Sequence, residues 1–429
     1  MQRLKILISA WGSTGDVLPP IAVGAALRSR GHEVSFVGNP TFERPVRDAG
    51  MTMIPVGRAE DHQRMMADVE LFDVSKKSTS SIFVEYYFPQ MAMFHAAADT
   101  AMREGTQLLV GGEMGSISAA EQRGLPLIIV ACSPSSNPHV NSRRDPPHPE
   151  WMLPAWARPL ARHGLGMALY YRLRLLRSGR LRWPAPEDSP LVTHPIPMQF
   201  RAKLGLPPEP RINPEHTLCM WPAWFAPPQP DQPAGCAITG FALDPRPIQA
   251  ANDGAPRPIV VTTGSTASGQ RGYLTRAAQA CAMLGRPALL VTPHSENVPA
   301  ELPVGVQHMA HAPFSELLGR AALLVHHGGI GTIAYALAAG VPQLMTPMRG
   351  DQFDNANRVQ RLGVGEMLSA REATPEQIAA LMQRQLDSPD VALRCKALKR
   401  RIEAEDGLQL AADLVESATR ARIDVKELA

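Results

Sequence analysis

Short, almost uninterrupted apolar runs alternate along the chain with glycine-bearing corners and with longer segments whose apolar positions recur at helical spacing. Three copies of one unit can be read. In the first, "LKILISAW" passes through "GSTGD" into a helix from Val17 to Arg30, Gly31 stops it, and "EVSFVG" follows. In the second, "PIVVTTGST" precedes a helix around residues 272 to 284, then Gly285 and "PALLVTP". In the third, "AALLV" enters "HHGGIGT", followed by a helix to Ala339, Gly340 as a left-handed cap and "VPQLMTP". Apolar side chains at successive positions suit strands covered on both faces, and a helix between two such strands is the crossover of a parallel sheet. The pattern predicts an α/β chain with Rossmann-like parallel sheets, one copy of the unit in its first half and two in its second.

Proline interrupts this grammar. Residues 134 to 160 and 183 to 235 are crowded with it, and a residue with fixed φ and no N–H reads as stiff irregular loop. A hinge is expected near residues 230 to 256. The expected division is an N-terminal domain over 1–235, a C-terminal domain over 236–405, and a terminal helix over 406–429 that packs back on the first domain. Thr374 is the expected N-cap of "TPEQIAALMQRQL".

Length and charge narrow the function. At 429 residues and 45% hydrophobic composition the chain can bury two cores. Forty-three Lys and Arg against 40 Asp and Glu leave a net charge of +3, too little for a protein-wide nucleic-acid footprint. Cys132, Cys219, Cys236, Cys281 and Cys395 lie far apart without CxxC spacing, which suggests neither a zinc site nor a disulfide framework and fits reduced thiols in the cytoplasm. No apolar run is long enough to span a bilayer, and the first apolar run reads as a strand rather than a signal peptide. Residues 151 to 184 carry seven arginines among large apolar side chains and no acid, a composition suited to a membrane surface or an anionic amphiphile, or to a core helix with a solvated face.

The strand-to-helix corner "HHGGIGT" carries the clearest chemistry. A helix N-terminus offers free N–H groups and the positive end of its dipole, and glycines let a phosphate approach the backbone. His326 and His327 add imidazole donors and Thr332 a hydroxyl, beside Gly328, Gly329 and Gly331. The corner lacks the lysine of a P-loop and the spacing of a dinucleotide fingerprint. Ser265 and Thr266 in "TTGST" either donate to a phosphate or form a plain turn. "WPAWFAPPQ", with Trp221, Trp224 and Phe225, lines an apolar acceptor cleft or serves as a rigid linker.

From His327 through Gly340, Pro342 and Pro347 to "DQFDNA", the order of motifs resembles the donor half of family 1 nucleotide-sugar glycosyltransferases of the GT-B fold. The resemblance implies two Rossmann-like domains facing a cleft, with the donor diphosphate gripped by His327 to Thr332, assisted by His326, and sugar hydroxyls held by Asp351 and Gln352. Asp351 also reads as a helix cap. "HAPFSELL" resembles the family's base-binding loop, with His311 where an aromatic ring normally stacks, Ala312 offering backbone to a pyrimidine edge, and Phe314 where glutamine is usual. In "GSTGDVLPP", Asp16 stands where most of the family has a histidine base, as in the subgroup of antibiotic and lipid glycosyltransferases; Ser13, Thr14 and Gly15 are expected to form a phosphate loop near the acceptor. As an N-cap Asp16 would be poorly placed, because its N3 position is Pro19, which has no N–H.

Over nearly its whole length, and especially at "GSTGDV", "PAWFAPPQ", "VHHGGIG" and "DQFDNA", the chain resembles the rhamnosyltransferases of rhamnolipid biosynthesis. That similarity implies dTDP-L-rhamnose as donor, a 3-(3-hydroxyalkanoyloxy)alkanoate lipid as acceptor, a partner acyltransferase that makes this lipid, peripheral contact with the cytoplasmic membrane, and inverting, metal-independent chemistry without a cofactor. A glucosyl donor with a lipid, sterol or polyketide acceptor, a nucleotide-sugar epimerase and a non-catalytic nucleotide-sugar binder are the alternatives.

Overall fold

The strands fall into two parallel sheets. The structure, a computed structural model, describes residues 3–68, 82–135, 194–208, 216–230, 232–243, 248, 254, 256–264, 269–348, 350–371 and 373–427. Ser265, Thr266 and the arginine-rich segment 151–184 lie outside the described residues.

The first sheet contains β1 (Lys5–Ser9), β2 (Glu33–Gly38), β3 (Thr52–Pro55), β4 (Leu108–Gly111), β5 (Leu127–Ala131), β6 (His216–Cys219) and β7 (Cys236–Ile238), in the order β3-β2-β1-β4-β5-β6-β7. The second contains β8 (Ile259–Thr262), β9 (Ala288–Val291), β10 (Val306–Met309), β11 (Leu323–His326), β12 (Gln343–Met345) and β13 (Gly365–Met367), in the order β10-β9-β8-β11-β12-β13. Ile6, Leu7 and Ile8 of β1 are all buried although they point to alternate faces, because helices cover both sides of the sheet. Val260 and Val261 of β8 repeat this in the second sheet. In each sheet the strand order reverses direction once, between β1 and β4 and between β8 and β11, which leaves a crevice at the carboxyl ends of those strands.

Three expectations need correction. The first helix is Thr14–Ser29 with Ser13 at its N-cap, so it starts three residues before Val17. The proline-rich stretch 183 to 235 is not all loop: His194 caps the helix Pro195–Lys203, whose proline sits at the first helical position where no N–H is needed, and β6 lies inside the sheet. Cys236–Ile238 pairs with β6, so the first sheet reaches past residue 235.

The chain passes between the sheets twice, and the passages touch. Gly240 and Gly407 pack backbone to backbone; a Cβ on Gly407 would lie 2.8 Å from the Gly240 carbonyl carbon. Trp224 Nε1 donates to Glu405 Oε1 at 2.9 Å, and the Arg401 guanidinium lies 5.1 Å from the Trp224 ring. The last helix, Gly407–Glu427, then lays Leu408, Ala411, Ala412 and Val415 into the core of the first sheet. Polar contacts fix its register: Arg30 pairs with Asp413 at 2.6 Å, and His32 Nε2 meets Glu416 Oε1 at 2.9 Å in a buried contact.

Candidate active site

Asp16 is set by the turn after β1. Gly12 has φ +132°, a conformation that disfavours side chains, and a Cβ there would lie 2.6 Å from Asp16 Oδ2. Ser13 donates to that same oxygen twice, from its backbone N–H at 2.9 Å and its hydroxyl at 2.8 Å. Asp16 is therefore the N3 acid of a capping box and not an N-cap, so Pro19 does not bear on its role. Ser13 and Asp16 thus form one unit, with Thr14 and Gly15 opening the helix.

Beside Asp16 lies a cavity of about 170 Å³, lined among others by Trp11, Phe83, Tyr87, Glu113 and Cys132. The Trp11 ring stands 5.0 Å from Tyr87 and 5.9 Å from Phe83, a continuous aromatic wall. Glu113 follows β4 and is buried, but four donors meet its carboxylate: Ser9 Oγ, the Tyr87 hydroxyl, and the N–H groups of Gly115 and Ser116, at 2.7 to 2.8 Å. That saturation makes a buried carboxylate tolerable. Burial first, then the Glu113 charge, holds the Tyr87 phenol well above its ordinary range. Composition and motif order did not mark these aromatic residues; their common signal is position, at or near the carboxyl edge of a buried strand or on a helix facing it.

Across the cleft the corner after β11 is built as a cradle. The two histidines do different things. His326 is fully buried; its Nδ1 accepts the Gly328 N–H at 3.1 Å, which assigns its proton to Nε2, facing Gln343 Oε1 at 3.0 Å. Burial, then His327, drops its pKa to about 3. His326 therefore shapes the turn and is not placed to assist with a ligand. His327 lies between Gly264 and Gly329, where a Cβ on either glycine would strike its ring, and its Nδ1 is buried without a hydrogen-bond partner among the described residues. Burial lowers its pKa to about 4, so it stands neutral at pH 7. Gly328 has φ +87°, and a Cβ there would lie 2.8 Å from the Gln352 carbonyl oxygen. Beyond it the helix Ile330–Ala339 presents the open N–H groups of its first turn, with Gly331 exposed and Thr332 half-buried.

Asp351 precedes the helix Gln352–Arg361, but its carboxylate makes no capping bond to that helix. Asn355 Nδ2 donates to Asp351 Oδ2 at 2.9 Å and to the Gly328 carbonyl at 3.2 Å, tying this carboxyl to the glycine corner. Burial raises the Asp351 pKa to about 6; hydrogen bonds from Ser133 and Asn355 oppose the rise and the charge of Asp16 adds to it. Ser133 and Cys132 follow β5 of the other sheet, so Asp351 is where the two sheets' carboxyl edges meet. Burial, then Asp16 and Asp351, pushes the Cys132 thiol far above its usual range. Gln352 Oε1 accepts the Met348 N–H at 2.9 Å, which commits that oxygen to the loop.

His311 is exposed and Ala312 half-buried in the loop after β10, on the same edge of the second sheet, with Phe314 edge-on to Tyr335 at 6.4 Å. Trp221, Trp224 and Phe225 do not line the cavity beside Asp16. Trp221 and Phe225 are buried with Phe241, Ile333 and Leu337 in a core shared by both sheets' elements, and Trp224 is held by Glu405 and Arg401.

With this geometry in hand, comparison with known proteins is informative. Residues 6–135 match the glycosyltransferase family 28 N-terminal domain, and residues 288–407 match the C-terminal domain of erythromycin biosynthesis protein CIII-like proteins. The chain is 28% identical to O-mycaminosyltylonolide 6-deoxyallosyltransferase of Streptomyces fradiae, covering 98% of both chains. It is similar in fold to the calicheamicin glycosyltransferase CalG4 (TM-score 0.69, 21% identity, 97% of this chain and 98% of that one). It is likewise similar to glycosyltransferase VinC in complex with dTDP (TM-score 0.61, 20% identity, 97% of this chain and 100% of that one). Two parallel sheets with their carboxyl edges opposed, a carboxylate on one and a glycine-histidine corner on the other, and these two domain matches make the chain a glycosyltransferase of GT-B architecture, with a family 28-type N-terminal and an erythromycin CIII-like C-terminal domain.

Proposed function

We propose that the protein transfers a deoxyhexose, L-rhamnose, from its dTDP derivative to a secondary hydroxyl of a hydroxyacyl lipid of the 3-(3-hydroxyalkanoyloxy)alkanoate type, with inversion at C1 and without a metal. The observation that carries this reading is the opposition of Asp16 to the cradle of His327, Gly328 and the helix from Ile330, with Asp351 between them. The acceptor hydroxyl enters the cavity at Asp16 and gives up its proton to the carboxylate as its oxygen attacks C1. The bond from C1 to the diphosphate oxygen breaks on the opposite face, and the departing charge is received by the first-turn N–H groups and His327. Asp351 and Gln352 hold sugar hydroxyls, and His311 with Ala312 receive the base. The dTDP complex of VinC and the deoxysugar named for the Streptomyces fradiae relative support the donor.

A polyketide acceptor is the second reading. It is favoured by the aromatic wall of Trp11, Phe83 and Tyr87 and by the O-mycaminosyltylonolide acceptor named for that relative. Mass spectrometry of products from dTDP-rhamnose, dTDP-glucose and UDP-glucose, each offered with a hydroxyacyl lipid and a macrolide aglycone, tests both. Rhamnosyl-lipid as the main product supports the first reading. Exclusive glycosylation of the aglycone overturns it.

A further inference from the structure

The cavity beside Asp16 has a second carboxylate in its lining, Glu113, in surroundings unlike those of Asp16. Asp16 is exposed, whereas Glu113 is buried and takes a hydrogen bond at each of the roughly four lone-pair positions a carboxylate offers. Ser9 Oγ and the Ser116 N–H donate to its Oε1, each at 2.8 Å, and the Tyr87 hydroxyl and the Gly115 N–H donate to its Oε2 at 2.7 and 2.8 Å. With these donors in place Glu113 has no lone pair left to take a proton from an incoming hydroxyl. Its charge faces the first turn of the helix Met114–Arg123, which it caps.

The two donors outside that helix belong to different parts of the fold. Ser9 is the last residue of β1, from which the chain runs on through Trp11 to Asp16. Tyr87 lies in the short helical turn Phe83–Tyr87, and its oxygen is held a second time by the Gly115 N–H at 3.0 Å. The Tyr87 ring is itself buried, with Trp11 at 5.0 Å, Phe88 at 5.9 Å and Phe94 at 6.2 Å, so a phenol pinned at its oxygen and packed on several sides has one orientation. Trp11 and Phe83 are half-buried and line the cavity, and both pack against Tyr87.

We propose that Glu113 and Tyr87 are positioning residues for acceptor binding: the carboxylate brackets the end of β1 to the Phe83–Tyr87 turn, and through Tyr87 it holds Trp11 and Phe83 as a fixed wall at a set distance from Asp16. The proposal rests on the reading of this cavity as the acceptor's. An apolar acceptor packs on the wall in the ground state and in the transition state alike, so loosening the wall raises the acceptor KM and leaves kcat nearly as it was. The donor cradle belongs to the other sheet, so dTDP affinity is spared.

The test measures acceptor KM, kcat and dTDP affinity for Tyr87→Phe, Glu113→Gln, Glu113→Ala and the double variant Tyr87→Phe/Glu113→Ala, with the hydroxyacyl lipid or the macrolide aglycone, whichever the native enzyme glycosylates faster. Tyr87→Phe keeps the ring and removes only the hydroxyl; it is expected to raise the acceptor KM about fivefold, the size of one ordinary hydrogen bond, with kcat within about threefold and dTDP affinity by calorimetry unchanged. Glu113→Ala is expected to raise KM at least as much, and Glu113→Gln less, because its amide still bonds the Tyr87 oxygen. The double variant is expected to be no worse than Glu113→Ala, since the two residues act through a shared bond. Native acceptor KM in folded Tyr87→Phe would overturn the proposal, as would single effects that multiply in the double variant. A loss of kcat of about 100-fold in Glu113→Gln at unchanged KM would also overturn it and make Glu113 a base. If Glu113→Ala does not fold, Tyr87→Phe and Glu113→Gln decide, and the double variant is built with glutamine. Trp11→Ala assayed alongside separates the two claims: native acceptor KM there removes the cavity as the acceptor site, whereas a raised KM there beside a native Tyr87→Phe removes only this proposal.

Discussion

Replacing Asp351 by asparagine should stabilise the empty protein above neutral pH while impairing its use of donor. The carboxyl has an ordinary value of 3.8 and reaches about 6 in the fold, chiefly through burial. Well below pH 3.8 both folded and unfolded chains carry it protonated. As pH rises to 6 the unfolded chain ionises first, so native stability falls, and above 6 the full loss remains. Two pKa units at about 1.36 kcal/mol each approach 3 kcal/mol, and because the residue is half-buried solvent screening brings the expected figure to about 1.5 to 3 kcal/mol. The variant amide avoids that loss, and its oxygen can still accept from Asn355. At roughly 2 to 4 °C per kcal/mol for a domain of this size, Asp351→Asn should melt some 3 to 12 °C higher than the native protein at pH 8 and at nearly the same temperature at about pH 3. Differential scanning at the two pH values, with dTDP-sugar turnover measured in parallel, is the assay. A variant equally destabilised at both pH values would refute the argument, because it would mean that Asp351 contributes structure rather than strain.

Two further outcomes follow from the donor cradle. His327→Ala should weaken dTDP binding by about 1.5 to 3 kcal/mol in calorimetric titration, the range for a hydrogen bond to a charged group; unchanged affinity would exclude His327 from the diphosphate site. Gly328→Ala should cost at least about 1 to 2 kcal/mol of stability by thermal or denaturant unfolding, since it combines a positive φ of +87° with a Cβ 2.8 Å from the Gln352 carbonyl oxygen.

The two sheets were legible because their strands are apolar at successive positions and their corners are marked by glycine. Gly340 ends its helix as a left-handed cap and Thr374 caps the helix Pro375–Asp387 through Gln377, both local signals that tertiary contacts did not override. The helix at Pro195 and strand β6 were hidden because proline counts look the same in a loop and at the first position of a helix. Trp221 and Phe225 were ambiguous for a similar reason: aromatic side chains in a proline-rich segment line a cleft or fill a core, and only packing against Ile333 and Leu337 distinguishes the two. The division of labour between His326 and His327 was not readable from adjacency. It depends on Gln343, seventeen residues away, which captures one imidazole and leaves the other to the cradle. Glu113 and Tyr87 are brought together from different elements over 26 residues, a pairing that spacing does not reveal.

The central claim is that Asp16 takes the acceptor proton, and its role in the capping box makes a clean test available. In Asp16→Asn the amide oxygen can still accept from the Ser13 N–H and hydroxyl, so the turn and the helix are retained while the basic carboxylate is lost. Single-turnover transfer by the folded variant, with dTDP affinity measured on the same sample, should show at least an approximately 100-fold loss of rate at unchanged affinity. Transfer within about threefold of native by that variant would contradict the account, since a factor this small is below what a positioned base supplies.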